Sequence, residues 1–305
     1  MAIIRATTFN NLRATVDAVV GNGSTNSGYG QNLASQTVSV GDLVRADDLN
    51  NLFADIRTAY RHQNGGDPTA GQLQEVNTGE LIYLDDTTNF KGWDQYEALA
   101  NNITANKLVA DPSSLQQFNS TVTKSRTSNW NGQIEHRFNM SFTSEDEARH
   151  FFNSGGTLKI ATSITGGSGS KTTDWRDNIL GNASGTITIN YNETTKSGTE
   201  GTTTAQGWFD FNIGQNYTVY SQMNGGGQAQ YAENDYYIVV QKTSTSNLYV
   251  RVILNDEDSG DQTGSGAAQD EDVNGTLTAS IQYQRAVNNV VGPDPAFTIA
   301  TGSTL

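Results

Sequence analysis

Near Gln116 the spacing of apolar residues changes character, and the change divides the chain in two. Before it, Phe9, Leu12, Val16, Val19 and Val20 recur at helical intervals, as do Leu49, Leu52, Phe53, Ile56 and Tyr60. Side chains at i, i+3 and i+4 share one face of a helix, so each run predicts an amphipathic helix. Thr7 and Asp47 can cap the two starts, and Gly21 can stop the first. A third run, Trp93, Tyr96, Leu99, Ala100 and Ile103, predicts a helix from Trp93 to Lys107, halted by Asp111-Pro112.

After Gln116 the period is two. Ile134, Phe138, Met140 and Phe142 predict a strand, as do Leu158, Ile160 and Ile164, and then Ile187, Ile189 and Tyr191. Further strands are predicted at Trp208–Phe211, at Tyr217–Tyr220 and at Leu277–Tyr283. Tyr236–Val240 and Leu248–Leu254 predict a hairpin turning around Thr243 to Asn247. One helix interrupts the series. Ser144-Glu145-Asp146-Glu147 has the form of a capping box, Ala148, Phe151 and Phe152 supply an apolar face, and Gly155-Gly156 ends it.

The first two helices resemble each other. Phe9-Asn10-Asn11-Leu12 aligns with Leu49-Asn50-Asn51-Leu52, and each helix is followed by Asn-Gly, at Asn22-Gly23 and Asn64-Gly65. Short helices of this kind are marginal in isolation and need packing from elsewhere. The larger domain and another subunit are the two candidate sources, and another subunit is the favoured one. That makes Phe9, Leu12, Val16, Leu49, Leu52, Phe53 and Ile56 the expected assembly interface.

The expected fold is α+β: a small N-terminal helical pair, then a mainly antiparallel β-sandwich with one inserted short helix. The expected divisions are a helical attachment module at 1–63, a linker with one helix at 64–115, a β-sandwich at 116–286 and a C-terminal tail at 287–305. The tail is interrupted by Pro293 and Pro295 and is expected to fray or to lie on a neighbour.

Composition restricts the function. A net charge of -14 gives no basic footprint for nucleic acid, and Lys124-Ser125-Arg126 stands isolated. An anionic membrane surface would repel the chain, and no apolar run is long enough to span one. Met1 to Thr7 lacks the basic-then-apolar pattern of a secretory signal. With no cysteines, disulfides and thiolate metal sites are excluded.

Residues that carry chemistry are sparse. The three histidines, His62, His136 and His150, show no metal-ligand spacing and are expected at surface or capping positions. No Gly-x-Ser-x-Gly is present, and Gly166-Gly167-Ser168-Gly169-Ser170-Lys171 lacks the spacing of a phosphate loop, so it reads as a flexible strand connection. Glu135, Asp174, Asp177, Glu193 and Asp210 are the carboxylates from which a glycosidase pair would be drawn, against a plain solvated face. Asp256, Asp258 and Asp261 form a candidate calcium site, set against a loop between strands. Their order departs from an EF-hand, because Gly260 stands where a ligand is expected. Trp130, Trp175, Trp208, Tyr220 and Tyr231 are candidate sugar-stacking rings, half or more of them expected in the core, and the Asn224–Gln228 loop is a candidate recognition tip. No catalytic residue and no cofactor is expected.

Several segments carry a family resemblance. Phe9-Asn10-Asn11-Leu12 leading to Gly21-Asn22-Gly23-Ser24, Gly28-Tyr29-Gly30-Gln31 and Asn50-Asn51-Leu52 leading to Arg61-His62-Gln63 resemble virion structural proteins of marine tailed phages, notably those of cyanobacteria. Ala148 to Gly156, Thr173-Asp174-Trp175, Val252 to Asp256 and Asn274 to Thr278 extend the likeness over most of residues 7 to 285. The resemblance implies a particle component associated with tail, neck or fibre. It would be located in the virion beside other virion proteins. With no secretory signal the chain is expected to be made in the host cytoplasm, and an apolar share of only 35% suits a homo-oligomer, which buries surface that a monomer exposes. The resemblance brings no catalytic residues. The alternative is an adhesin of the particle that binds a receptor or host surface glycan.

Overall fold

The computed structural model describes residues 4–21, 28–29, 32–64, 67–80, 82–107, 115–153, 155–223, 231–257, 272–286 and 294–301. The apolar runs of the first part become α1 (Ala6–Val20), α2 (Ala46–Asn64) and α3 (Trp93–Ala105). The caps fall one or two residues away from the expected ones. Arg5 precedes α1, with Thr7 inside the first turn. At α2, Asp48 reaches back from the first turn to accept the Arg45 backbone N–H at 2.8 Å.

Chain contacts divide the molecule into two units. The first comprises Met1–Gln116, Glu145–Gly156 and Arg285–Asp294, and the second Gln117–Ser144, Thr157–Gln284 and Pro295–Leu305. The division corrects the expected domains. Leu73, Val76, Trp93 and Tyr96, from the stretch expected to be a linker, share one core with Phe9 and Leu52. The inserted helix α4 (Glu145–Asn153) also belongs to the first unit and not to the sandwich. Its Asn153 Nδ2 donates to the Gly28 carbonyl at 2.7 Å, and its His150 ring meets Tyr29 edge-on at 5.3 Å. His150 is therefore buried, where a polar outer face was expected. His62 lies in α2, and its side chain is outside the described residues.

The 40-residue repeat has a structural meaning. Asn10 Nδ2 donates to the Val38 carbonyl at 2.8 Å, and its Oδ1 accepts the Val38 N–H at 2.9 Å. Asn50 holds Val76 in the same way, at 2.9 and 2.8 Å. In each copy, one helical carboxamide satisfies both backbone groups of an extended valine and presses its side chain into the core.

The second unit is built from antiparallel sheets. Its strands are β1 (Leu115–Arg126), β2 (Gly132–Ser141), β3 (Thr157–Thr165), β4 (Thr186–Ile189), β5 (Thr194–Lys196), β6 (Thr202–Thr203), β7 (Asn216–Gln222), β8 (Asp235–Ser244), β9 (Asn247–Asp256), β10 (Thr276–Ala286) and β11 (Ala296–Ile299). One sheet runs β1-β10-β3-β4-β5 and the other β11-β2-β9-β8-β7-β6. The expected hairpin is β8–β9, with Val240 opposite Val250. Alternation puts Phe138, Met140, Tyr236, Ile238, Val250 and Val252 on one inner face and Leu158, Ile160, Ile187, Leu277 and Ile281 on the other. Each such buried aliphatic contributes roughly 1.5–3 kcal/mol. Tyr236 OH donates to Thr162 Oγ1 at 2.9 Å, linking the two sheets.

Two expectations about strands fail. Trp208 to Asp210 is a turn, with Lys242 Nζ 4.2 Å above the buried Trp208 ring. The segment expected to be a tail instead adds β11 to the edge of β2, with Phe297 opposite Met140. A bound edge strand satisfies backbone groups that a frayed tail would leave to water.

Candidate functional site

The residues expected at an assembly interface are all buried within the first unit. Phe9, Leu12 and Val16 on α1 and Leu49, Leu52, Phe53 and Ile56 on α2 share their core with Trp93, Tyr96, Leu99 and Ile103 of α3. The third helix supplies the packing that was assigned to a partner. These side chains therefore cannot form an interface in the folded chain.

The surface of the same unit offers another place. Val40 is 89% exposed and Leu43 78%, with Tyr83 at 55% and Leu84 at 56%. In sequence, Leu43 and Tyr83 each sit one residue from the lining of a cleft of about 310 Å³ formed by Val44, Arg45, Asp47, Val76, Glu80 and Ile82. Val40 and Leu43 flank a tight turn in which Asp42 N–H donates to Ser39 O at 3.0 Å. Gly41 takes φ +102, a conformation that would strain any residue with a Cβ. The clamped valines set the frame: Val38 leads into this turn, and Val76 forms part of the cleft wall.

The cleft has an ordered polar edge. Lys91 Nζ donates to Glu80 Oε2 at 2.7 Å, and the Asn77 N–H donates to it at 2.8 Å. Led by the Lys91 hydrogen bond, these contacts hold the Glu80 carboxyl down to about 2. Apolar side chains around a fixed charge are the composition of a contact surface rather than of a solvated loop. The sequence pointed here only faintly, through Ser39-Val40-Gly41-Asp42-Leu43, where two large apolar residues bracket a turn.

The other expected site residues are scattered. Asp256 forms an ion pair with Lys171 at 3.0 Å, with both side chains fully buried. Asp258 and Asp261 lie outside the described residues, as does the Asn224–Gln228 loop. Among the described residues no group of three or more His, Cys, Asp or Glu is placed to hold a metal ion. Trp130, Trp175, Trp208, Tyr220 and Tyr231 are all buried, so none offers a ring to a sugar.

The five carboxylates are each engaged by a different partner. Glu135 accepts from Arg137 at 3.0 Å and from Arg251, and Asp177 from Arg176 at 2.7 Å. Asp174 accepts from Asn178 at 2.6 Å, Glu193 from Asn190 at 3.2 Å and Asp210 from the Gly207 N–H at 2.9 Å. His136, expected at the surface, is 2% exposed and points into the sandwich. Neither of its ring nitrogens finds a hydrogen-bond partner among the described residues. Among known proteins, no family model, no curated protein and no solved structure matches the chain.

Proposed function

We propose that this chain is a structural component of a tailed-phage particle, associated with tail, neck or fibre, and acts by assembly rather than by turnover. The observation that carries the reading is the exposure of Val40, Leu43, Tyr83 and Leu84 on the first unit. Large apolar side chains left in water are stabilised when another protein covers them. The resemblance of the sequence to virion proteins supplies the setting. The first partner is a second copy of the chain, and other particle proteins follow.

The experiment is light scattering on the full-length chain and on the double variant Val40→Asp, Leu43→Asp. The expected result is an oligomer for the natural chain and a folded monomer for the variant. A natural chain that stays monomeric at every concentration, or a variant whose mass is unchanged, overturns self-association through Val40 and Leu43. Mass spectrometry of purified particles tests the setting separately. A chain present at only trace levels in the particles overturns the structural role.

A further inference from the structure

Lys171 and Asp256 form an ion pair with both side chains wholly withdrawn from water. Asp174, also fully buried, lies three residues beyond Lys171 in the short helix α5 (Ser170–Asp174). Residues three apart on a helix share a face, their Cβ atoms about 5–6 Å apart. The helix spacing thus sets a second buried carboxyl on the same face as the Lys171–Asp256 pair, in a dry interior where charge is costly.

Its frame is tightly built. Ser170 Oγ lies 2.7 Å from the hydroxyl of buried Tyr231. Trp175, which follows Asp174, packs edge-on to Trp130 with ring centroids 5.0 Å apart. Asn274 ties down the segment leading to α5, accepting from Ser168 N–H at 2.7 Å and donating to Ser168 O at 2.8 Å. Its backbone N–H donates to Thr172 Oγ1 at 3.0 Å. Gly167 takes φ +77 there, and a Cβ would sit 2.7 Å from the Asn274 carbonyl oxygen. Asp256 ends β9 opposite Gly132 of β2, so its position is fixed by the sheet.

We propose that Lys171 and Asp256 condense into an intramolecular amide, with Asp174 carrying the proton. The Lys171 nitrogen lies 3.0 Å from an Asp256 carboxyl oxygen, one bond away from the carbon it attacks, and both are held in place by the fold. The ammonium passes one proton to the Asp256 carboxylate, giving amine and carboxylic acid, the form that a dry site does not penalise. The Nζ lone pair then forms a bond to Cγ of Asp256. Asp174 takes a proton from the nitrogen and returns it to the departing hydroxyl. The C–O bond breaks and water leaves. Ammonium and carboxylate have become one amide and one water, with no oxidant or co-reactant. The product removes two buried charges and closes the chain between 171 and 256 into a ring.

The test is the intact mass of the denatured full-length chain. The expected value is the sequence mass less one water, with proteolysis releasing a branched peptide that joins the Lys171 and Asp256 segments. Lys171→Met and Asp256→Ala are expected to show the full sequence mass. Asp174→Asn is expected to keep the fold and lose the bond. A natural chain at full sequence mass, both fresh and after long incubation, overturns the proposal whether or not the variants fold. Water loss that maps to any other pair of residues also overturns it. Water loss retained in Asp174→Asn overturns the role given to Asp174.

Discussion

The Asn10 side chain serves Val38 as a neighbouring strand would, donating to its carbonyl and accepting from its N–H through a single carboxamide. Asn50 repeats the arrangement on Val76. Both valines are buried, and the hydrogen bonds to their backbone groups are partly shielded from water. Replacing either asparagine with alanine is expected to cost about 2 kcal/mol, two hydrogen bonds to groups that stay partly shielded. Hydrogen exchange checks it by site. Asn10→Ala is expected to accelerate the Val38 amide and Asn50→Ala the Val76 amide, neither affecting the other. Asn10→Asp separates the two bonds, because a carboxylate accepts from the N–H but cannot donate to the carbonyl.

Asp55 on α2 anchors the segment before Val38. Its Oδ1 accepts the Ala34 N–H at 2.7 Å, and its Oδ2 accepts the Ser35 N–H at 3.0 Å and the Ser35 hydroxyl at 2.6 Å. Three donors aimed at one buried carboxylate are a charge-assisted set. Asp55→Ala is expected to cost about 3 kcal/mol, read as a lower urea midpoint with an unchanged slope. Asp55→Asn keeps the volume but turns an NH2 toward N–H donors, so it is expected to recover less than half of that loss.

The apolar rhythm made the helices and most strands legible, because burial at i, i+3, i+4 or at i, i+2 is a local pattern. What failed depended on distant partners. Leu52 and Phe53 looked exposed for assembly because α3, which covers them, comes after a stretch with the composition of a linker. Ala296 to Ile299 became a strand only because β2 offers it a free edge. Gly166 to Lys171 read as a flexible connection, since nothing local shows that Lys171 will find Asp256 at the end of β9. The candidate site was the least legible. Val40 and Leu43 look like ordinary core residues until the turn at Gly41 leaves them outside.

His136 makes the sandwich sensitive to pH. Burial, with Lys124 and Arg126 adding repulsion, pushes its imidazole down from 6.5 to about 4. Below pH 6.5 the unfolded chain takes up a proton that the folded chain refuses. Stability is therefore expected to fall as pH drops from 6.5, by about 3 kcal/mol in all, and to level off below pH 4. Urea denaturation across this range measures it. His136→Phe fills the same space without a titrating group and is expected to flatten the curve and match or exceed the natural stability at pH 7. An unchanged slope in the variant would assign the pH dependence to another group.

Glu135 titrates in a lower window, on the opposite face of the same strand. Burial pushes its carboxyl up, but hydrogen bonds from Arg251 and Arg137 outweigh that and hold it below the usual range. A depressed carboxyl contributes stability above its unfolded value, near 4.5, and loses it as pH falls through the folded value. Arg251→Met leaves burial opposed by Arg137 alone, so the Glu135 carboxyl is expected to rise toward or above its ordinary value. Carbon-13 NMR of the glutamate carboxyls reads that shift directly. The variant is expected to be less stable than the natural chain by about 2 kcal/mol at pH 7. The gap is expected to narrow as pH falls from 4.5 through the lower folded value of the natural Glu135, where that carboxyl loses its charge. Since the His136 contribution changes between pH 6.5 and about 4 and the Glu135 contribution from 4.5 downward, the two variants apportion acid unfolding of the sandwich between two groups.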